Sequence, residues 1–104
     1  MGLFSSFRNP LSWVSGDIAI DLGTANTLVY IKGKGVLINE PSIVAKSVHD
    51  DKIIAVGYEA KAMVGRAHSG IETVRPLRDG VIADFNMTDG LLQAFLNELK
   101  RPIF

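Results

Sequence analysis

The 104 residues contain no cysteine, which removes disulfide scaffolds, thiolate metal sites and cysteine nucleophiles together. Charge of either sign is not in excess, since 11 Lys and Arg face 11 Asp and Glu. A protein that grips nucleic acid by neutralising phosphates needs a basic surplus, so no nucleic-acid partner is expected. No apolar run approaches the ~20 residues of a membrane-spanning helix. The two histidines, His49 and His68, stand far apart in polar stretches and do not read as a ligand pair. Neither a Gly-x-x-x-x-Gly-Lys-[Ser/Thr] loop nor a Gly-x-Gly-x-x-Gly fingerprint occurs. What remains is 47% hydrophobic and 21% charged, the composition of a globular chain with the length of one small domain.

Apolar periodicity divides the chain. Ile18, Ile20 and Leu22 alternate with Asp17, Ala19 and Asp21, which predicts a strand. Thr27–Ile31 and Val36–Ile38 read as two more strands, separated by the turn Gly33-Lys34-Gly35, so an antiparallel meander is expected. Asn39-Glu40-Pro41 reads as a break. Ser42–Ser47 and Lys52–Val56 predict a hairpin around His49-Asp50-Asp51, and Tyr58–Val64 a short helix closed by Gly65. Ile71–Val74 reads as a strand stopped by Pro76, and Val81–Ala83 as a short buried segment after the Asp79-Gly80 turn. The last element is an amphipathic helix with Asn86 as its expected N-cap. Met87, Leu91, Leu92, Phe95, Leu96 and Leu99 share one face.

The segment with most chemical content is Asp21-Leu22-Gly23-Thr24-Ala25-Asn26-Thr27. A strand delivers the Asp21 carboxylate at its end, and Gly23 lets the backbone turn sharply or a ligand approach closely. Thr24, Ala25 and Asn26 then offer successive N–H groups, the kind of concave nest that takes phosphate oxygens. Asp21 beside phosphate makes sense with a divalent cation between them, and Mg²⁺ held through water suits a single carboxylate. Asp-x-Gly-[Ser/Thr] turns are also common without any ligand. Lys32, Lys34, Arg66, Arg75 and Arg78 form no continuous basic stripe.

Residues 1–15 differ from the rest: they hold no acid, one base (Arg8), and the bulky Leu3, Phe4, Phe7, Leu11 and Trp13. Arg8-Asn9-Pro10 interrupts the apolar stretch, which excludes a secretory signal. Leu3, Phe4 and Phe7 fall on one face of a helical turn that Pro10 stops, and Trp13 favours the headgroup interface. With Arg8 and the terminal amine supplying positive charge, this is the pattern of an interfacial anchor. The alternative is a terminus that is disordered or folded against the domain.

Asp17–Thr27 resembles the first phosphate loop of the MreB family of bacterial actins. Lys32–Val36, Asn39–Ala45, Val56–Gly65 and Arg75–Phe85 are similar to later family segments, in the same order. The first loop is shared across actins, heat-shock chaperones and sugar kinases, whereas Asn39–Ala45 with Arg75–Phe85 narrows the resemblance to the MreB family. It implies an α/β, actin-like ATPase (ribonuclease H-like) fold, represented by part of subdomain IA plus subdomain IB. The implied divisions are an amphipathic membrane-binding terminus at 1–15, the first IA strands and phosphate loop at 16–36, an IB-like insertion at 37–78, and an IA helix with an apolar loop at 79–104. Implied ligands are ATP, at Gly23, Thr24, Ala25 and Asn26, and Mg²⁺, through water at Asp21. Implied partners are further copies in a filament, inner-membrane lipid met by Leu3, Phe4, Phe7, Trp13, Ile103 and Phe104, and membrane proteins of cell-wall elongation. The implied place is the cytoplasm, peripheral on the inner face of the plasma membrane. Family members are about three times longer. The resemblance therefore implies an N-terminal part without the second phosphate loop or catalytic glutamate, and hence without turnover of its own. It also implies exposed Leu and Phe on the last helix, whose partner strands would follow Phe104. A heat-shock-type chaperone ATPase fragment and a small lipid- or partner-binding module without nucleotide are the alternatives.

Overall fold

The strand Ile18–Leu22 buries Ala19, Ile20 and Leu22 but leaves Ile18 at its start exposed, so burial does not follow the strict alternation expected, and short glycine turns fold the chain back onto it. The computed structural model describes residues 12–66 and 69–99. β2 (Ile18–Leu22), β3 (Asn26–Ile31) and β4 (Gly35–Pro41) form the expected antiparallel meander. A strand not expected from the sequence precedes them. β1 (Ser12–Ser15) pairs antiparallel with β2, so the sheet runs β1-β2-β3-β4. Backbone pairing thus carries residues 12–15 into the sheet, across the division placed after residue 15.

β4 is longer than its apolar core suggested. Its pairing continues through Asn39 and Glu40 to Pro41, which lies opposite Asn26. A proline at a strand end is tolerated where its missing N–H is not required. Here the Ser42 N–H makes the ladder bond instead, to the Ala25 carbonyl at 2.9 Å.

A second sheet has the order β6-β5-β7, from β5 (Val44–Ser47), β6 (Ile53–Val56) and β7 (Ile71–Val74), all antiparallel. The hairpin between β5 and β6 turns at Asp51, whose φ is +58°, and Lys46 meets Asp51 across it at 3.2 Å. α1 (Gly57–Lys61) follows β6. Gly57 has a φ of +64°, and a Cβ there would run into the Glu40 carboxylate, which accepts the Tyr58 N–H at 3.1 Å. β8 (Leu77–Arg78) and β9 (Val81–Ile82) make a two-stranded ribbon around Asp79-Gly80.

α2 (Phe85–Glu98) closes the fold. Its N-cap is Asp84 rather than Asn86. Asp84 is extended (φ −134°, ψ 104°), and its carboxylate accepts the Met87 N–H at 3.0 Å. Asn86 already lies inside the first turn, so it cannot cap. The expected exposure of the helix's apolar face is also overturned. Met87, Leu91 and Phe95 are buried in one core with Ile20, Leu22, Val29, Ile38, Val44 and Leu77. Leu92, Leu96 and Leu99 pack against it, and Phe85 is the helix's large apolar residue left to solvent, at 73% exposed. The chain's own two sheets supply the cover that seemed to need further strands. Ile43, Ala45, Ala55 and Ala60 form a second, smaller cluster behind the β5–β6 hairpin.

Candidate nucleotide-binding hairpin

The turn between β2 and β3 is closed by one backbone bond, from the Gly23 N–H to the Asn26 carbonyl at 3.0 Å. The chain doubles back so tightly that a Cβ on Gly23 would sit 2.6 Å from that same carbonyl oxygen. Gly23 is not among the residues with positive φ. Glycine is needed here for close approach of the backbone to itself, and not for an unusual dihedral. Thr24, Ala25 and Asn26 are all exposed at the tip. Among the described residues, no turn or loop backbone bond uses the Thr24 or Ala25 N–H as donor.

Two segments distant in sequence brace this tip. Ser42, fully buried, donates its hydroxyl to the Gly23 carbonyl at 2.7 Å and its N–H to the Ala25 carbonyl at 2.9 Å. Behind Ser42 lies the buried Thr27 hydroxyl, 2.8 Å from the Ser42 oxygen. On the other side the Gly80 N–H donates to the Thr24 hydroxyl at 2.8 Å, which ties the tip to the β8–β9 ribbon. A further bond joins the side chains of Asn26 and Asn39 at 3.0 Å. The structure therefore brings Asn39–Ser42 and Asp79-Gly80 onto the hairpin.

Asp21 lies next to last in β2, opposite Leu28 and on the sheet face away from Ile20 and Leu22. It is half-buried and outside the closed core. Among the described residues no three metal-ligating side chains gather, so a cation here would rely on Asp21 and water. Beside the tip opens a cleft of about 620 Å³, whose lining includes Thr24, Arg75, Arg78 and Asp79. Arg75 and Arg78 share this cleft with Glu72 and Asp79, so its formal charge is balanced. Of the residues expected to meet lipid, Leu3, Phe4, Phe7, Ile103 and Phe104 lie outside the described residues, and of Trp13 only the backbone, in β1, is described.

A family model described as MreB/Mbl protein matches residues 15–103. The chain belongs to the MreB/Mbl family. It is 55% identical over 84 residues to the cell shape-determining protein Mbl of Bacillus subtilis, covering 81% of this chain and 25% of Mbl. It is 48% identical over 94 residues to the cell shape-determining protein MreB of Escherichia coli K12, covering 86% of this chain and 27% of that protein. MreB5 of Spiroplasma citri bound to ADP superposes with a TM-score of 0.71 at 46% identity, over 78% of this chain and 25% of MreB5. The AMPPNP-bound MreB5 gives 0.72 at 44% identity, over 81% and 25%. The chain thus spans about a quarter of the MreB/Mbl relatives it matches, and its strands and helices are part of their actin-like fold.

Ser42 is the part of this hairpin that lies outside the Asp21–Thr27 motif. The available signal was a lone serine opening the apolar run Ile43-Val44-Ala45. A buried hydroxyl must find a partner, and that partner is the loop.

Proposed function

We propose that the hairpin from Asp21 to Thr27 is one phosphate-binding wall of a nucleotide site, in a cell shape-determining, filament-forming protein of the actin-like class. The ligand is ATP with Mg²⁺. The observation that carries this reading is the tip itself. Gly23 is drawn so close to Asn26 that no side chain fits, and three consecutive exposed residues, Thr24 to Asn26, follow it. A turn of this shape offers backbone N–H donors to phosphate oxygens without a side chain in the way. The relatives' role as cell shape-determining proteins and the two nucleotides held by MreB5 support the same reading.

In that role the Thr24 to Asn26 backbone binds phosphate, and Thr24, pinned by Gly80, keeps the tip in place. Asp21 would hold the cation through water. Bound Mg²⁺ would supply charge neutralisation on the phosphates. One wall orients phosphate but does not assemble a reacting centre, because phosphoryl transfer depends on positioning from all sides. Residues 1–15, with Leu3, Phe4, Phe7 and Trp13, together with Ile103 and Phe104, serve as the lipid-facing elements. They place the filament on the cytoplasmic face of the membrane beside the cell-wall elongation proteins. The test is a Mg-ATP titration of the ¹⁵N-labelled chain. The Thr24, Ala25 and Asn26 amides are expected to shift together, with Gly80 following. Shifts confined to residues remote from the hairpin would refute the reading.

A further inference from the structure

The bonds around Ser42 determine where the loop's N–H groups aim. Ser42 has one hydroxyl proton, and it goes to the Gly23 carbonyl at 2.7 Å. The 2.8 Å contact to Thr27 must therefore be donated by the Thr27 hydroxyl to the Ser42 oxygen. The resulting relay runs Thr27 to Ser42 to Gly23, and both side chains in it are fully buried. Among the described residues no peptide bond is cis. In a trans peptide the C=O and the following N–H point in opposite directions. Ser42 draws the Gly23 carbonyl inward, so the Thr24 N–H faces outward. The Ser42 N–H holds the Ala25 carbonyl on the β4 side at 2.9 Å, so the Asn26 N–H lies on the opposite side, toward Gly23, as its own carbonyl does. One residue thus holds two of the tip's carbonyls.

Ser42 does a second thing. An antiparallel turn closed by Gly23 N–H to Asn26 C=O commonly gains the return bond, Asn26 N–H to Gly23 C=O. That return bond is absent among the described turn bonds, and the Gly23 carbonyl is engaged by the Ser42 hydroxyl instead. We propose that Ser42 is the positioning residue of the phosphate hairpin. It does not touch phosphate; its hydroxyl draws the Gly23 carbonyl away from the Asn26 N–H, which turns the Thr24 N–H outward and leaves the Asn26 N–H open to a ligand. This deepens the nucleotide reading above and rests on it.

The test compares the native chain with S42A and T27V, with and without Mg-ATP. Without nucleotide, S42A leaves the Gly23 carbonyl free, and the Asn26 amide takes it. Hydrogen exchange at Asn26 is expected to slow by about tenfold, the effect of one added hydrogen bond. Mg-ATP affinity is expected to fall by about tenfold with it. T27V deletes the far end of the relay and destabilises the chain, but the Ser42 hydroxyl still holds Gly23. Its Asn26 exchange and its affinity, measured below its melting transition, should stay within about twofold of native. Equal losses of affinity in both variants, tracking their stability, would overturn the proposal. So would an S42A chain whose Asn26 exchange and Mg-ATP affinity are native. If the native chain shows no response to Mg-ATP while S42A still slows Asn26 exchange, the nucleotide reading fails and the role of Ser42 in setting the turn stands.

Discussion

Replacing Gly23 by alanine adds a single methyl group and should injure both fold and site. The new Cβ would lie 2.6 Å from the Asn26 carbonyl oxygen, a backbone atom that no rotamer change can move away. The hairpin must open to admit it, which breaks the Gly23 N–H to Asn26 bond and pulls the Gly23 carbonyl from Ser42. One such bond is worth about 1 kcal/mol net, and the residual strain costs roughly another 1–3 kcal/mol. With two bonds lost the total is about 3–5 kcal/mol, a large share of the ~5–15 kcal/mol that holds a domain together. With a urea slope of about 1–3 kcal/mol/M, the unfolding midpoint should fall by about 1–5 M. G65A provides the contrast. Gly65 has a φ of +77° but open space around its Cβ, so only the dihedral cost of about 1 kcal/mol applies. Urea denaturation followed by circular dichroism would measure both. The ordinary dihedral should prove the less tolerant one. A G23A midpoint equal to or above that of G65A would refute the close-approach argument.

Other expectations follow from single interactions. D84A removes the carboxylate that caps the Met87 N–H, and should lower stability by about 1 kcal/mol in thermal melts, whereas N86A should be nearly silent. F95A empties a fully buried position and should cost about 3–5 kcal/mol, leaving the chain largely unfolded at 37 °C by circular dichroism. Lys46 has its pKa raised above 10.5, chiefly by its hydrogen bond to Asp51. Because the folded value is the higher one, the pair's contribution is complete below 10.5 and fades as pH climbs through the raised value. A K46M chain should therefore lose less stability than the native chain between about pH 10 and 12 in urea titrations. Purified alone, the chain should release no phosphate from ATP above background in a coupled assay, since a single wall cannot position the reaction.

The meander and the amphipathic helix could be read from the sequence because period-two and period-three-to-four patterns report which face is buried, and Ile20, Leu22, Leu91 and Phe95 are buried as those patterns require. The Asp21–Thr27 hairpin could be seen as a turn with a glycine in it. Its bracing could not, because Ser42 and Gly80 reach Gly23 and Thr24 across 19 and 56 residues, and no local pattern encodes such a bond. Tertiary partners explain the remaining differences. Asp84 takes the cap from Asn86 because the β8–β9 ribbon sets where the helix can begin, with the Asp84 N–H held by the Pro76 carbonyl at 3.1 Å. Pro41 stays in a strand because its neighbour Ser42 supplies the bond it lacks. The apolar face of α2 is covered because residues distant in sequence, from Ile20 to Leu77, meet Leu91 and Phe95 in one core.

The central claim is that this chain is a working wall of an actin-like nucleotide site, and a chimaera tests it most directly. Residues 15–99 would replace the matched quarter of Bacillus subtilis Mbl, and ATP turnover of the purified chimaera would be measured beside the same chimaera carrying G23A. The expected result is turnover within a few-fold of Mbl itself, lost on G23A. A folded chimaera that binds and hydrolyses ATP equally with and without G23A would contradict the account.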